Sequence, residues 1–140
     1  NVTTGAFDSY IVGISPSSYD FVIHPYDGIV LRVANSGSFI EQAFELVDRV
    51  VHIFKNENNV VNNVVWTCLS NIKASELASL IGSSIMPKGS VVSRWNVTTG
   101  AFDSYIVGIS PSSYDFVIHP GDVVVLRVAN SGEFSIEVIK

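Results

Sequence analysis

Apolar and polar positions alternate in short runs through most of the chain, the period-two signature of half-buried strands, and change once to a spacing of three and four. Val50–Phe54 and Val60–Thr67 are two β-type runs separated by the polar cluster Lys55-Asn56-Glu57-Asn58, which reads as a hairpin. From Asn71 to Gly82 the period changes. Asn71 is a candidate N-cap, Ala74, Leu77, Ala78 and Ile81 fall on one stripe, and Gly82 supplies the stop, so a helix is expected over about Lys73–Ile81.

Val91–Trp95 and Ala101–Ile106 flank the five residues Asn96–Gly100, the pattern of a hairpin. Tyr114–Ile118 predicts another strand, and His119-Pro120-Gly121-Asp122 carries Pro and Gly where a type II turn needs them. Val123–Val128 is almost wholly apolar, which predicts a central strand covered on both faces. Phe134, Ile136 and Val138 alternate with Ser135, Glu137 and Ile139 as a last strand.

A repeat organises these elements. Residues 1–39 recur at 96–134 with four differences: Tyr26/Gly121, Gly28/Val123, Ile29/Val124 and Ser38/Glu133. A period of 95 residues is too long for a solenoid and suits an array of small domains. The chain then reads as one and a half units: an incomplete unit over 1–48, holding only a back half, and a complete unit over 49–140. Tyr26 stands where the second copy has the turn glycine, so the first turn is expected to shift and bring Gly28 into the permissive position. Beyond Phe39 the copies diverge, and 39–49 fits a strand with a linker or, from the capping-box pattern Ser38-Phe39-Ile40-Glu41, a helix.

Composition narrows the class. With 47% apolar and 15% charged residues, rich in Val and Ile, the chain is not disordered and is predicted to be mostly β, a β-rich α+β fold of small antiparallel sheets in a sandwich or barrel with one short helix. A formal charge of −5 with eight scattered Lys and Arg argues against nucleic-acid binding. No apolar run approaches the roughly 18 residues that span a bilayer, so no membrane insertion is expected from this chain. The single cysteine, Cys68, reads as a buried inert thiol.

Val64-Val65-Trp66, Ala74–Ile81, Val91–Asn96, Phe102–Pro111, Tyr114–Ile118, Pro120-Gly121-Asp122 and Leu126-Arg127-Val128, in that order, resemble a module repeated in large cell-surface, envelope or S-layer-like proteins of archaea. Such modules open on Gly-Trp-Asn-aliphatic-aliphatic-Gly-Trp, where this chain has Asn62-Asn63-Val64-Val65-Trp66-Thr67. The resemblance implies a secreted surface protein built from many domains, and it brings no catalytic residue with it.

Candidate chemistry is sparse. Asn96-Val97-Thr98 is an N-glycosylation sequon on a hairpin, copied at Asn1-Val2-Thr3, so Asn96 and Asn1 are candidate glycan sites. His119 with Asp115 and Asp122, echoed by His24 with Asp20 and Asp27, is the His–carboxylate set that recurs; Asp115 and His119 would stand about 13 Å apart on an extended strand, so capping of turn amides is preferred over a metal site. No cofactor is expected. No Gly-x-Ser-x-Gly elbow occurs, and a hydrolase ranks third among the readings, the expectation being no enzyme. Trp95 with Tyr105 and Tyr114, and Tyr10, Tyr19 and Tyr26 in the first copy, offer the alternative of a carbohydrate-binding module. The leading expectation is a structural or adhesive extracellular module that self-associates. Strands around Phe7–Ile11, Phe21–Ile23 and Ile29–Val33, with Phe7, Tyr10, Phe21, Ile23, Ile29 and Leu31 at the interface, would pair with the complete unit or with another subunit.

Overall fold

The computed structural model describes residues 6–25, 27–39, 48–55 and 62–137. Its elements follow in chain order: β1 (Arg49–Ile53), β2 (Asn62–Val65), β3 (Ile72–Lys73), α1 (Ala74–Ile81), β4 (Val91–Asn96), β5 (Ala101–Ile106), β6 (Val117–Ile118), β7 (Val123–Arg127) and β8 (Gly132–Ile136). They are mostly β with one helix, as the alternation predicts, and the small antiparallel sheets close no barrel.

The main sheet has the order β2-β7-β4-β5, and the pairs β1–β8 and β3–β6 form two smaller sheets. The predicted β4–β5 hairpin is present, with Val91 opposite Ile106 and Asn96 opposite Ala101. β7 is central, between β2 and β4, but burial along it alternates. Val124 and Leu126 are fully enclosed while Val123 and Val125 on the outer face are only partly covered, so an all-apolar strand here is not covered on both faces.

Among the described residues the expected hairpin between the first two runs does not form. β1 instead pairs with β8, setting Val51 opposite Phe134 and Ile53 opposite Gly132, while β2 pairs with β7. This arrangement puts the inward residues of both partners on one face, Ile53, Phe134 and Ile136 against the core, and leaves His52 beside Glu133 outside at 3.4 Å. A match of faces across more than 80 residues wins over a local turn because it removes more apolar surface from water. The run 114–118 is shortened as well. Ser112–Tyr114 forms a 3-10 turn, leaving Val117–Ile118 as the strand.

Helix α1 begins one residue later than its spacing predicts, with Lys73 and not Asn71 at the N-cap, and Glu76 accepts the Lys73 N–H at 2.7 Å. Its stripe Ala74, Leu77, Ala78 and Ile81 is buried. One core forms where this stripe meets Val64, Val92, Val124 and Leu126 of the main sheet and Ile53, Phe134 and Ile136 of the β1–β8 pair. Among the described residues every buried hydrophobic residue lies between Ile53 and Ile136.

The first copy is different. Between residues 6 and 39 the chain forms a 3-10 turn at Ser17–Tyr19 and no strand among the described residues, so the expected strands around Phe7–Ile11, Phe21–Ile23 and Ile29–Val33 are absent. The turn at His24 closes as its copy does, by a hydrogen bond from the Asp27 N–H to the His24 carbonyl, and Gly28 is not at positive φ; the expected shift of the turn does not occur. The strand-or-helix question at 39–49 falls largely outside the described residues.

Candidate functional site

The strand pairing divides the complete unit in two. β5, β6, β7 and β8, the strands of the back half, each pair with β4, β3, β2 and β4, or β1, all of the front half. Among the described residues no back-half strand pairs with another. The front half, 49–96, is therefore an acceptor lined by Val64, Leu77, Ile81 and Val92, and the back half is its insert.

The duplicated segment is that same insert without an acceptor. Ile118, Leu126 and Phe134 are 0%, 0% and 6% exposed, whereas their counterparts Ile23, Leu31 and Phe39 are 56%, 65% and 76% exposed. Phe7, Tyr10, Phe21 and Ile29 are exposed too, so the six residues expected at an interface all face outward and join no ladder to the complete unit. One contact between the copies is tight. A Cβ placed on Gly28 would lie 2.3 Å from Val123 Cγ1, so the first copy touches the outer face of β7 at the residue that is its own counterpart (28 + 95 = 123).

At the seam between acceptor and insert stands Arg94 on β4. Its guanidinium lies 3.2 Å from Asp103 of β5 and 3.8 Å from Asp122, donates to the Val117 carbonyl, and sits 4.8 Å from the centre of the Phe116 ring. One cation thus ties β4 to three parts of the insert. The turn beyond it is held by Trp66, whose N–H donates to the Asp122 carbonyl while its own carbonyl accepts the Gly121 N–H, both at 2.8 Å. Gly121 has φ 85°, as position three of a type II turn requires.

These contacts account for the His–carboxylate set. Asp115 accepts from the Ser75 N–H at 2.9 Å and from the Ser75 hydroxyl at 2.7 Å, so it caps α1 from across the chain. Asp122 accepts from the His119 N–H at 2.8 Å, with the His119 ring 3.3 Å away, and Asp27 with His24 repeats this at 2.7 and 3.4 Å. Asp20 terminates the 3-10 turn of the first copy as Asp115 does that of the second. Among the described residues no group of three or more His, Cys, Asp or Glu converges as metal ligands would.

The sequon amide is committed. Asn96 Oδ1 accepts from the N–H groups of Thr98 and Thr99, and Nδ2, the atom a glycan would take, donates to Asp103 at 3.1 Å. Asn96 is the last residue of β4 and not the tip of the loop; Asn1 lies outside the described residues. Trp95 is exposed and stands edge-on to Phe102 with ring centres 5.1 Å apart. Tyr114 is exposed, whereas Tyr105 packs against the core.

Cys68 is buried, as expected, and its thiol donates to the Glu137 carbonyl at 2.9 Å. Burial, and secondarily the negative charge of Asp48, push this thiol above the ordinary range. Beside it an open cleft of about 700 Å³ is lined by the apolar Trp66, Leu80 and Phe134 together with Glu76, Glu133 and Glu137. The chain matches no family model, no curated protein and no solved structure. Arg94 was not singled out by sequence reasoning, though a lone basic residue in an alternating strand facing Asp103 across a hairpin was a signal for it.

Proposed function

We propose that this chain is a non-catalytic structural or adhesive module of an extracellular surface protein, in which the incomplete N-terminal unit joins units or subunits by β-strand pairing. The observation that carries the reading is the division of strands: the insert pairs with the acceptor alone, and residues 6–39 present the insert's apolar residues uncovered. Exposed residues of this kind, on a segment whose copy is a set of strands, recruit a further chain by strand addition. The resemblance to archaeal surface modules agrees with this reading and supplies the extracellular setting.

Light scattering on the 140-residue chain tests it. The expected result is a concentration-dependent dimer or larger species, which Leu31→Asp returns to monomer. A monomer at every concentration, with residues 6–39 open to protease, would sink strand sharing between chains.

The exposed Trp95–Phe102 pair favours a second reading, a carbohydrate-binding module. An edge-to-face pair offers a sugar one flat ring in place of a platform. Glycan-array binding that is lost in Trp95→Ala would move the assignment to this class.

A further inference from the structure

We infer that the front half, residues 49–96, is a single acceptor for which two inserts in the same chain compete, so that the domain folds in either of two frames. The C-terminal frame seats residues 101–136. The alternative frame seats 6–39 and releases 101–136. The inference rests on the reading of 6–39 as a strand donor and names the slot that it enters.

Three features carry it. All five ladders among the described residues run between acceptor and insert, so replacing the insert breaks no pairing within the acceptor and needs none within the insert. Next, four of the five residues that fill the core from the insert have counterparts of the same kind in the first copy, Ile23 for Ile118, Ile29 for Val124, Leu31 for Leu126 and Phe39 for Phe134; the fifth, Ile136, has Glu41 at the same offset, so the shared filling ends at Phe39. The last feature is connection. Phe134 sits opposite Val51, so the ends of the complete unit are neighbours in the β1–β8 ladder. With Phe39 in the place of Phe134, the 11 residues 40–50 would bridge two positions only about 4.5–5.5 Å apart, and a chain of that length does so easily. The order insert–acceptor–insert is thus a domain overlaid with its own circular permutant.

The two frames are unequal, and the four differences say why. Gly121 at φ 85° holds a conformation that a tyrosine in the equivalent place would adopt only at a cost, and Val123 occupies a strand position where the first copy has Gly28. Both favour the C-terminal frame, on the order of tenfold to a hundredfold. Because one acceptor serves two inserts, one insert is left unseated in either frame.

The experiment compares Leu126→Asp, Leu31→Asp and the double variant in the full chain, by thermal melting, light scattering and peptide-resolved hydrogen exchange. Leu31→Asp is expected to melt as the parent does. Leu126→Asp is expected to stay cooperatively folded and monomeric at a lower Tm, with exchange protection moved from 101–136 to 6–39, and the double variant to be unfolded. Leu126→Asp as unfolded as the double variant overturns the inference. Leu126→Asp folded only as a dimer or larger overturns exchange within the chain but leaves pairing between chains standing; a parent that is always monomeric, with Leu126→Asp folded as monomer, does the reverse. A second variant avoids an unfolded reference: Tyr26→Gly with Gly28→Val gives the first copy the residues of the second and also obstructs the present contact of Gly28 with Val123. Protection of 6–39 should rise tenfold or more in that variant. An unchanged protection pattern overturns the inference.

Discussion

Residues 6–39 and 101–134 share nearly every letter, and they separate two kinds of structure. Their turns are alike to a tenth of an ångström or two. Ile14 and Ser15 N–H groups donate to the Ile11 carbonyl at 3.1 and 2.9 Å, and Ile109 and Ser110 to that of Ile106 at the same distances. Ser15 and Ser110 hydroxyls accept from Ile11 and Ile106 N–H groups at 2.9 and 2.8 Å. Both copies carry the 3-10 turn after Pro, at Ser17–Tyr19 and Ser112–Tyr114, and both close the His-Pro turn with an aspartate. The strands are another matter: four form in the second copy and none among the described residues of the first. Hydrogen bonds spanning three or four residues travel with the segment, whereas a ladder needs its partner, and every partner lies in the front half.

The comparison is broken most forcefully at the shared acceptor. Leu77 is fully buried on α1, so Leu77→Ala should lose about 2–5 kcal/mol in urea unfolding, while Leu31→Ala, on an exposed side chain, should stay within about 0.5 kcal/mol. Equal losses would mean that the first copy is part of the core. A smaller effect separates two equivalent glycines. A Cβ on Gly132 would come within 2.4 Å of Ile85 Cδ1, but one on Gly37 meets nothing within 4 Å. Gly132→Ala should cost about 1–3 kcal/mol and Gly37→Ala a few tenths, read as the difference in denaturant midpoint.

The smallest effect concerns Cys68, which belongs to the acceptor alone. Its folded-state pKa is raised above that of an ordinary cysteine thiol, so its contribution to stability is complete below the ordinary pKa and is lost as pH rises through the folded pKa. Alkylation at pH 8 should therefore proceed only with unfolding, and Cys68→Ala should flatten the alkaline fall in stability. Rapid labelling of the folded chain would contradict the burial of this thiol.

Much of the complete unit was legible in the sequence because its signals are short in range. The helix stripe from Ala74 to Ile81, the β4–β5 hairpin and the Pro-Gly turn at 120–121 all follow from spacing and turn chemistry. The pairing of β1 with β8 was not legible, since turn signals between Phe54 and Asn62 carry no information about a strand 80 residues away. For the same reason Asp115 looked like a turn residue or a metal ligand, and its bond to Ser75 across 40 residues shows only in three dimensions. Arg94 joins Asp103, Asp122, Phe116 and Val117 because the fold brings two ladders to its side chain, although its pairing with Asp103 across the hairpin lay within reach of the alternation.

By itself the sequence determined the β-rich class, the single helix and the turns, all of which depend on side-chain periodicity or on bonds between near neighbours. Only the tertiary structure decided which of two nearly identical segments becomes sheet. A strand's hydrogen bonds and its buried face are supplied by another part of the chain, so the same letters Val-Leu-Arg at 30–32 and 125–127 lead to exposed coil in one place and to the centre of a sheet in the other.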